Sequence, residues 1–303
     1  MSKKILSFDG GGIRGVISLS FLKSLEKDTG IAVSQKADIL AGTSTGSIIA
    51  AALSVGMTVE EILDFYTSMS SEIFKKKHSL DRFLSLSSKY SSENLYQSLQ
   101  KVFSSKGFDP QTPLSKLSKQ IVIPTVSLDD KKLKRWRTEV LTNASETSLI
   151  DAMMKSTAAP TFFPSYKDHI DGGMAANDPS AIAYATCGGA DALLSFGTGY
   201  TAYNISKGED WGALSWVLDL NPDSKATKTP LLTMLFDVQD QLPGQLCQLL
   251  LGKRYSRLNL ELSESVHLDD VSKIPLLIQE VENFIKSHSA QWKALCAWTT
   301  NHF

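Results

Sequence analysis

A serine held between two glycines, in Gly42-Thr43-Ser44-Thr45-Gly46, is the pattern in this chain best suited to covalent chemistry. Asp38-Ile39-Leu40-Ala41 before it reads as a short buried strand, and Ser47 to Leu53 after it reads as a buried helix. A turn that joins strand to helix this sharply brings backbone close to backbone, so hydrogen is the only side chain the flanking positions Gly42 and Gly46 would accept. Ser44 would then project its hydroxyl from a helix N-terminus, where the helix dipole favours developing negative charge. The chemistry of such an elbow is nucleophilic attack on a carbonyl.

Asp9-Gly10-Gly11-Gly12-Ile13-Arg14-Gly15 supplies a second element. Lys4 to Phe8 reads as a first strand, and Val16 to Lys27 carries an apolar helical face closed by Gly30. A glycine-rich loop between strand and helix turns its backbone N–H groups toward an anion. Dinucleotide phosphates are one such anion, and Gly10, Gly12 and Gly15 do satisfy G-x-G-x-x-G. That reading also wants an acid closing the second strand, whereas Asp38 opens it and Ser44 occupies the turn that follows. The other anion is the oxyanion formed when a serine attacks an ester. A third element, Asp171-Gly172-Gly173, follows Tyr166 to Ile170, which reads as a strand. Taken alone it is a glycine turn. For Asp171 to serve as a base, its surroundings must be apolar enough to lift its pKa from ~3.9 toward working pH.

Together, the D-G-G-G-x-R-G loop, the G-T-S-T-G elbow and the D-G-G turn resemble the patatin-like phospholipases, serine lipid acyl hydrolases named after the potato tuber protein. Ser156-Thr157-Ala158-Ala159-Pro160-Thr161-Phe162-Phe163-Pro164 is similar to the family's S-x-A-A-P-x-x-F-P block, and Leu194 to Gly199 to its L-S-x-G-T-G turn. The resemblance implies an α/β fold and hydrolysis of carboxylic esters of (phospho)lipids through an acyl-enzyme. It implies Ser44 as nucleophile, Asp171 as its partner in a dyad without a catalytic histidine, and Gly10, Gly11 and Gly12 as the oxyanion hole. Arg14 is then expected to hold that loop in shape. The family's D-G-G-x-x-x-N-N-P is broken at Asp178, which leaves Asn177 to orient the Asp171 loop. No cofactor is implied.

Three other readings stay open on the residues alone. A Ser-Asp-His triad could draw on His267, His288 or His302, or on His169, which shares a strand face with Asp171. The chain could keep the fold for binding or storage. Dinucleotide binding is the third.

The elements that must position these residues alternate between helical and extended patterns, which predicts a mostly parallel sheet with helices on both faces. The 303 residues carry no low-complexity linker or internal repeat, so one catalytic domain over residues 1–303 is expected, with the motif blocks inside 5–199. Beyond about Trp211, Arg254 to Leu260 reads as a returning strand, and Ile274 to Ile285 and Trp292 to Trp298 as terminal helices packing on the sheet. Leu231 to Leu251 is apolar at helical spacing and is expected to be a core helix pair; a wall for an acyl chain or a membrane-facing flap is the alternative. The basic runs Lys75-Lys76-Lys77-His78 and Lys131 to Arg137 could meet anionic headgroups, although Leu133 to Val140 also fits a solvated strand.

A net charge of -1 argues against nucleic acid as a partner. Cys187, Cys247 and Cys296 are odd in number and widely spaced, and no cluster has metal-ligand spacing. Residues 39–59 lack charge, but their glycines and hydroxyls speak against a membrane span. Lys3-Lys4 is followed by too short an apolar run for a cleaved signal. The expectation is a cytoplasmic protein in transient contact with a lipid substrate and a membrane surface. Export without a cleaved signal, a homodimer and a regulatory partner stay open.

Overall fold

The computed structural model describes residues 3–76, 87–129, 134–201, 212–217 and 230–303. Among the described residues the strands are β1 (Lys4–Phe8), β2 (Ile39–Gly42), β3 (Gln120–Ser127), β4 (Arg137–Thr142), β5 (His169–Asp171), β6 (Ala192–Phe196) and β7 (Tyr255–Leu258). The described helices of seven residues or more are α1 (Gly15–Thr29), α2 (Thr45–Ser54), α3 (Val59–Ile73), α4 (Ser92–Ser105), α5 (Leu149–Ser156), α6 (Ser180–Thr186), α7 (Pro230–Gln239), α8 (Gln241–Leu251), α9 (Ile274–Ser287) and α10 (Ser289–His302).

The sheet runs in the order β4-β3-β2-β1-β6-β7, with β5 also paired to β3. Strands β1, β2, β3, β6 and β7 are mutually parallel, and β4 and β5 run against β3. Alternation along each strand divides the core between the two faces. Ile5, Ile39, Ala41 and Leu193 point toward α6 and α8, while Leu6, Phe8, Leu40, Leu194 and Phe196 point into the larger core. Phe8 and Phe196 stack across neighbouring strands at a centroid distance of 5.6 Å. The expected sheet with helices on both faces is what forms.

The handover between two strands governs the site. Strand β2 pairs with the first half of β3, Gln120 to Val122, and then leaves the sheet after Gly42. The lane it vacates is filled from the other direction by β5, which pairs with Thr125 to Ser127. Asp171, opposite Thr125, is thereby delivered to the end of β2, where Ser44 turns away. Pro124 stands at the handover, where its missing N–H goes unneeded and its carbonyl is open to a side chain.

Several boundaries differ from the sequence reading. The strand expected from Tyr166 begins only at His169, because Lys167 and Asp168 both take positive φ (45° and 58°) in a two-residue hairpin turn closed by reciprocal Tyr166–His169 hydrogen bonds. Strand β4 starts at Arg137; Lys131 to Leu133, like Lys77-His78 and Trp211, lie outside the described residues. Helices α9 and α10 form where expected but pack chiefly on α1 rather than on the sheet. The expected core helix pair is corrected most strongly. Of α8 only Gly244, Cys247 and Leu251 are buried, while Leu231, Met234, Leu235, Val238, Leu242, Leu246, Leu249 and Leu250 are exposed, Leu249 by 82%.

Candidate active site

Strand β2 and helix α2 meet at Ser44, whose backbone holds φ 52° and ψ -121°, a strained conformation for a residue with a side chain. Gly42 and Gly46 make the turn possible. A Cβ on Gly42 would stand 2.0 Å from the Gly46 carbonyl oxygen, and one on Gly46 would stand 2.1 Å from that of Phe8. The strain is held by hydrogen bonds on the main chain. Ser44 N–H donates to Ser156 Oγ at 3.0 Å, and Ser156 Oγ–H donates in turn to the Pro124 carbonyl at 2.7 Å. Thr43 Oγ1 donates to the Ala176 carbonyl at 2.8 Å, tying the elbow to the loop after Asp171.

Ser44 Oγ donates to Asp171 Oδ2 at 2.6 Å, and the Gly173 N–H donates to Asp171 Oδ1 at 2.7 Å. Asp171 is 1% exposed. Burial pushes its carboxyl up to about 7, against the two hydrogen bonds that favour the carboxylate. The apolar setting that a basic Asp171 requires is therefore present.

No described histidine reaches this pair. His169 is turned away, with Nε2 on Glu139 Oε2 at 2.6 Å and Nδ1 on the Lys167 carbonyl at 2.5 Å, so both ring nitrogens are occupied. His267 and His288 are exposed, and His302 Nδ1 bonds the Trp298 carbonyl.

The glycine loop faces Ser44: a Cβ on Gly10 would lie 3.3 Å from Ser44 Cβ. Its three amides are not equivalent. Gly10 N–H donates to the Asn177 carbonyl at 3.1 Å and is not free for an oxyanion, which corrects its expected place in the hole. Among the described residues the N–H groups of Gly11 and Gly12 have no acceptor. Gly12 holds φ +57°, a conformation that favours glycine. The loop is braced by Thr198 Oγ1, which donates to the Gly10 carbonyl at 2.7 Å, and by Ile13 N–H, which donates to the Leu268 carbonyl at 2.9 Å. Arg14 contributes through its backbone, its N–H donating to the Gly11 carbonyl at 3.1 Å. Its guanidinium is buried at the pocket wall, and among the described residues its Nε has no partner. Asn177 addresses the glycine loop, its main-chain carbonyl accepting the Gly10 N–H and its side-chain Nδ2 donating to the Gly10 carbonyl at 3.4 Å.

An apolar pocket opens onto Ser44 and Asp171, walled by Ile48, Phe65, Ile73, Phe74, Leu95 and Phe163. Such a wall receives a hydrocarbon chain without leaving polar groups unpaired.

Several supporting residues escape sequence reasoning. Ser156 reads there only as part of a motif block, and nothing in its type announces an acceptor for the Ser44 amide. Arg257 on β7 pairs with both Asp9 and Asp178, with Nη2–Asp9 Oδ2 at 2.5 Å and Nη1–Asp178 Oδ2 at 3.0 Å. The departure at Asp178 is the available signal, because a buried carboxylate in place of an amide calls for a cation.

An α/β sheet carrying a serine at a strand-to-helix elbow, with a buried carboxylate in reach and free amides opposite, has the parts of a serine hydrolase site. The model of the patatin-like phospholipase family matches residues 6–184, and the chain belongs to that family of lipid hydrolases. It is similar to a cGAMP-activated phospholipase of Escherichia coli (strain TW11681), 29% identical over 197 residues that cover 59% of this chain and 54% of that protein. Patatin-like protein 1 of Arabidopsis thaliana is 30% identical over 274 residues, covering 71% of this chain and 64% of the relative. Protein teg of Priestia megaterium is 25% identical over 303 residues, covering 91% and 92%. The chain spans between about half and two thirds of the length of the first two relatives.

Proposed function

We propose that this chain is a lipid acyl hydrolase that cleaves carboxylic esters of phospholipids or other acyl lipids through a Ser44–Asp171 dyad. The observation that carries the reading is the 2.6 Å hydrogen bond from Ser44 Oγ to the buried Asp171 carboxylate. Asp171 takes the Ser44 proton as Oγ bonds to the ester carbonyl carbon, and the carbonyl oxygen becomes an oxyanion. The Gly11 and Gly12 amides, with the N-terminus of α2, stabilise that charge. Collapse breaks the bond to the leaving alcohol, which receives the proton from Asp171, and leaves an acyl group on Ser44. Water then gives a proton to Asp171, attacks the acyl carbon and releases the fatty acid; the proton returns to Ser44. No histidine enters the cycle.

The acyl chain lies in the pocket lined by Ile48, Phe65 and Phe163, and the rest of the lipid stays at the surface. The exposed apolar residues of α7 and α8 provide a face for a lipid surface next to the site, because Gln239 Nε2, at the end of α7, donates to the Met174 carbonyl in the turn after Asp171. Among the described residues no helix is long and apolar enough to cross a membrane. Membrane contact is accordingly read as peripheral, and residues 1–303 as one catalytic unit, with β7 completing the sheet.

Mass spectrometry of a mixed lipid extract incubated with the protein tests this reading. Free fatty acid with the matching deacylated lipid is expected, and Ser44→Ala should release neither. Products cut at the phosphate ester, or unchanged release by Ser44→Ala, would overturn it.

A further inference from the structure

The glycine loop is held from a part of the chain that lies beyond the matched family segment. Asp240, between α7 and α8, accepts a hydrogen bond from Asn177 Nδ2 at Oδ1, 2.7 Å away. The same Asn177 accepts the Gly10 N–H on its main-chain carbonyl at 3.1 Å, and its side-chain Nδ2 lies 3.4 Å from the Gly10 carbonyl. Asn177 thus addresses both ends of the residue that opens the loop, its main chain at the N–H and its side chain at the carbonyl, and Asp240 fixes the rotamer of that side chain. An aspartate at this position would ordinarily cap its own helix. Asp240 makes no side-chain cap to α8, so its carboxylate is spent on Asn177 instead.

Arg257 makes a second tie from the same region. Its guanidinium bonds both oxygens of Asp9, which precedes Gly10, and reaches Asp178, which follows Asn177. It also donates to Ser195 Oγ at 2.7 Å. Asp9 and Asp178 are fully buried, so each needs a cation or a proton where it stands. Asp240 therefore holds Asn177 of the Gly10–Asn177 contact through its side-chain amide, and Arg257 holds by charge the two residues that flank the contact, Asp9 and Asp178.

We propose that Asp240 is a positioning residue that sets the oxyanion loop through Asn177, with Arg257 as the charge anchor of the same clamp; the proposal rests on the hydrolase reading above. Oxyanion donors act only where their N–H groups converge on the developing charge. A free Asn177 side chain would leave the Gly10 carbonyl tied by Thr198 Oγ1 alone, loosening the aim of Gly11 and Gly12 without altering the apolar walls of the acyl pocket.

The test compares Asp240→Ala, Asp240→Glu and Asp240→Asn with the unaltered protein in two measurements: ester turnover, and hydrogen exchange of the peptide spanning residues 9–15. Asp240→Asn keeps an acceptor for Asn177 Nδ2 and should stay within about threefold of the unaltered kcat, with unchanged exchange. Asp240→Ala should lower kcat by about tenfold or more with KM within about threefold, since a lost oxyanion donor costs about 10²–10³ in kcat and a displaced one part of that. The peptide spanning residues 9–15 should then exchange faster. Asp240→Glu keeps the charge but moves the acceptor, and should resemble Asp240→Ala; it also serves if the alanine variant does not fold. Normal kcat and normal exchange in Asp240→Ala or Asp240→Glu would overturn the clamp, as would an Asp240→Asn as impaired as Asp240→Ala. If the unaltered protein hydrolysed no ester while Asp240→Ala still loosened the loop, the hydrolase reading would fail and the clamp would stand.

Discussion

Replacing Asp171 by asparagine should change how stability depends on pH, and the size of the change follows from the burial of the carboxyl. Its folded value of about 7 lies above the ordinary 3.8. A carboxyl raised in this way binds its proton more tightly folded than unfolded, so its contribution favours the fold at low pH and is lost as pH rises from about 4 through 7. Each unit corresponds to about 1.4 kcal/mol, so the gap of roughly three units makes ionised Asp171 cost the folded state up to about 4 kcal/mol above pH 7. Asparagine does not titrate. Urea unfolding of both proteins between pH 4 and 8 isolates the effect, because Asp240, also raised to about 7 by burial, remains in both and drops out of the difference. The stability gap should move in favour of Asp171→Asn by at least about 2 kcal/mol between pH 4 and 8. The kcat/KM of the unaltered protein should rise over the same range, half-maximal near 7, since the base must be ionised. Parallel stability curves, or an activity already at its plateau at pH 5, would refute the claim that burial prepares this carboxylate as a base.

Removing the Ser156 hydroxyl with Ser156→Ala strips the acceptor from the strained Ser44 amide; a loss of about 1–3 kcal/mol in urea unfolding and about tenfold or more in turnover is expected. His169→Ala should keep at least about a tenth of the activity, because neither ring nitrogen faces Ser44, and a folded variant as inactive as Ser44→Ala would restore a histidine to the mechanism. Leu242→Asp with Leu249→Asp should weaken sedimentation with phospholipid vesicles while leaving hydrolysis of a short, water-soluble ester within about twofold; equal vesicle binding would remove α7 and α8 from the lipid-facing surface.

The parts of the site that are local in sequence are legible in the residues alone. Strand β1, the elbow, the cap of α1 at Gly30 and the terminal helices follow from apolar period and glycine placement, because each is decided by neighbours within a few residues. Short motifs single out Ser44 and Asp171, but their contact arises from β5 entering the lane that β2 leaves, which no local pattern encodes. The start of β5 is hidden because Lys167-Asp168 adopts positive φ without the asparagine or glycine that usually marks such a turn. The exposed face of α7 and α8 is hidden because an apolar stripe has the same period whether it faces a core or a lipid surface. Motif matching places Gly10 in the oxyanion hole with its neighbours, since a sequence does not say which amide of a glycine loop is spent on the protein itself. Asp240 and Arg257 are invisible for the same reason as the β2–β5 lane: their partners lie about 60 and 250 residues away.

Labelling with an active-site fluorophosphonate, followed by mass mapping of the modified peptide, tests the central claim most directly. The probe phosphonylates a serine only where a base and an oxyanion site stand ready for it. A single adduct on Ser44 is expected, abolished in Ser44→Ala and slowed about a hundredfold or more in Asp171→Asn. An adduct on Ser156 or Ser195, or labelling of Ser44 that is indifferent to Asp171, would contradict the dyad.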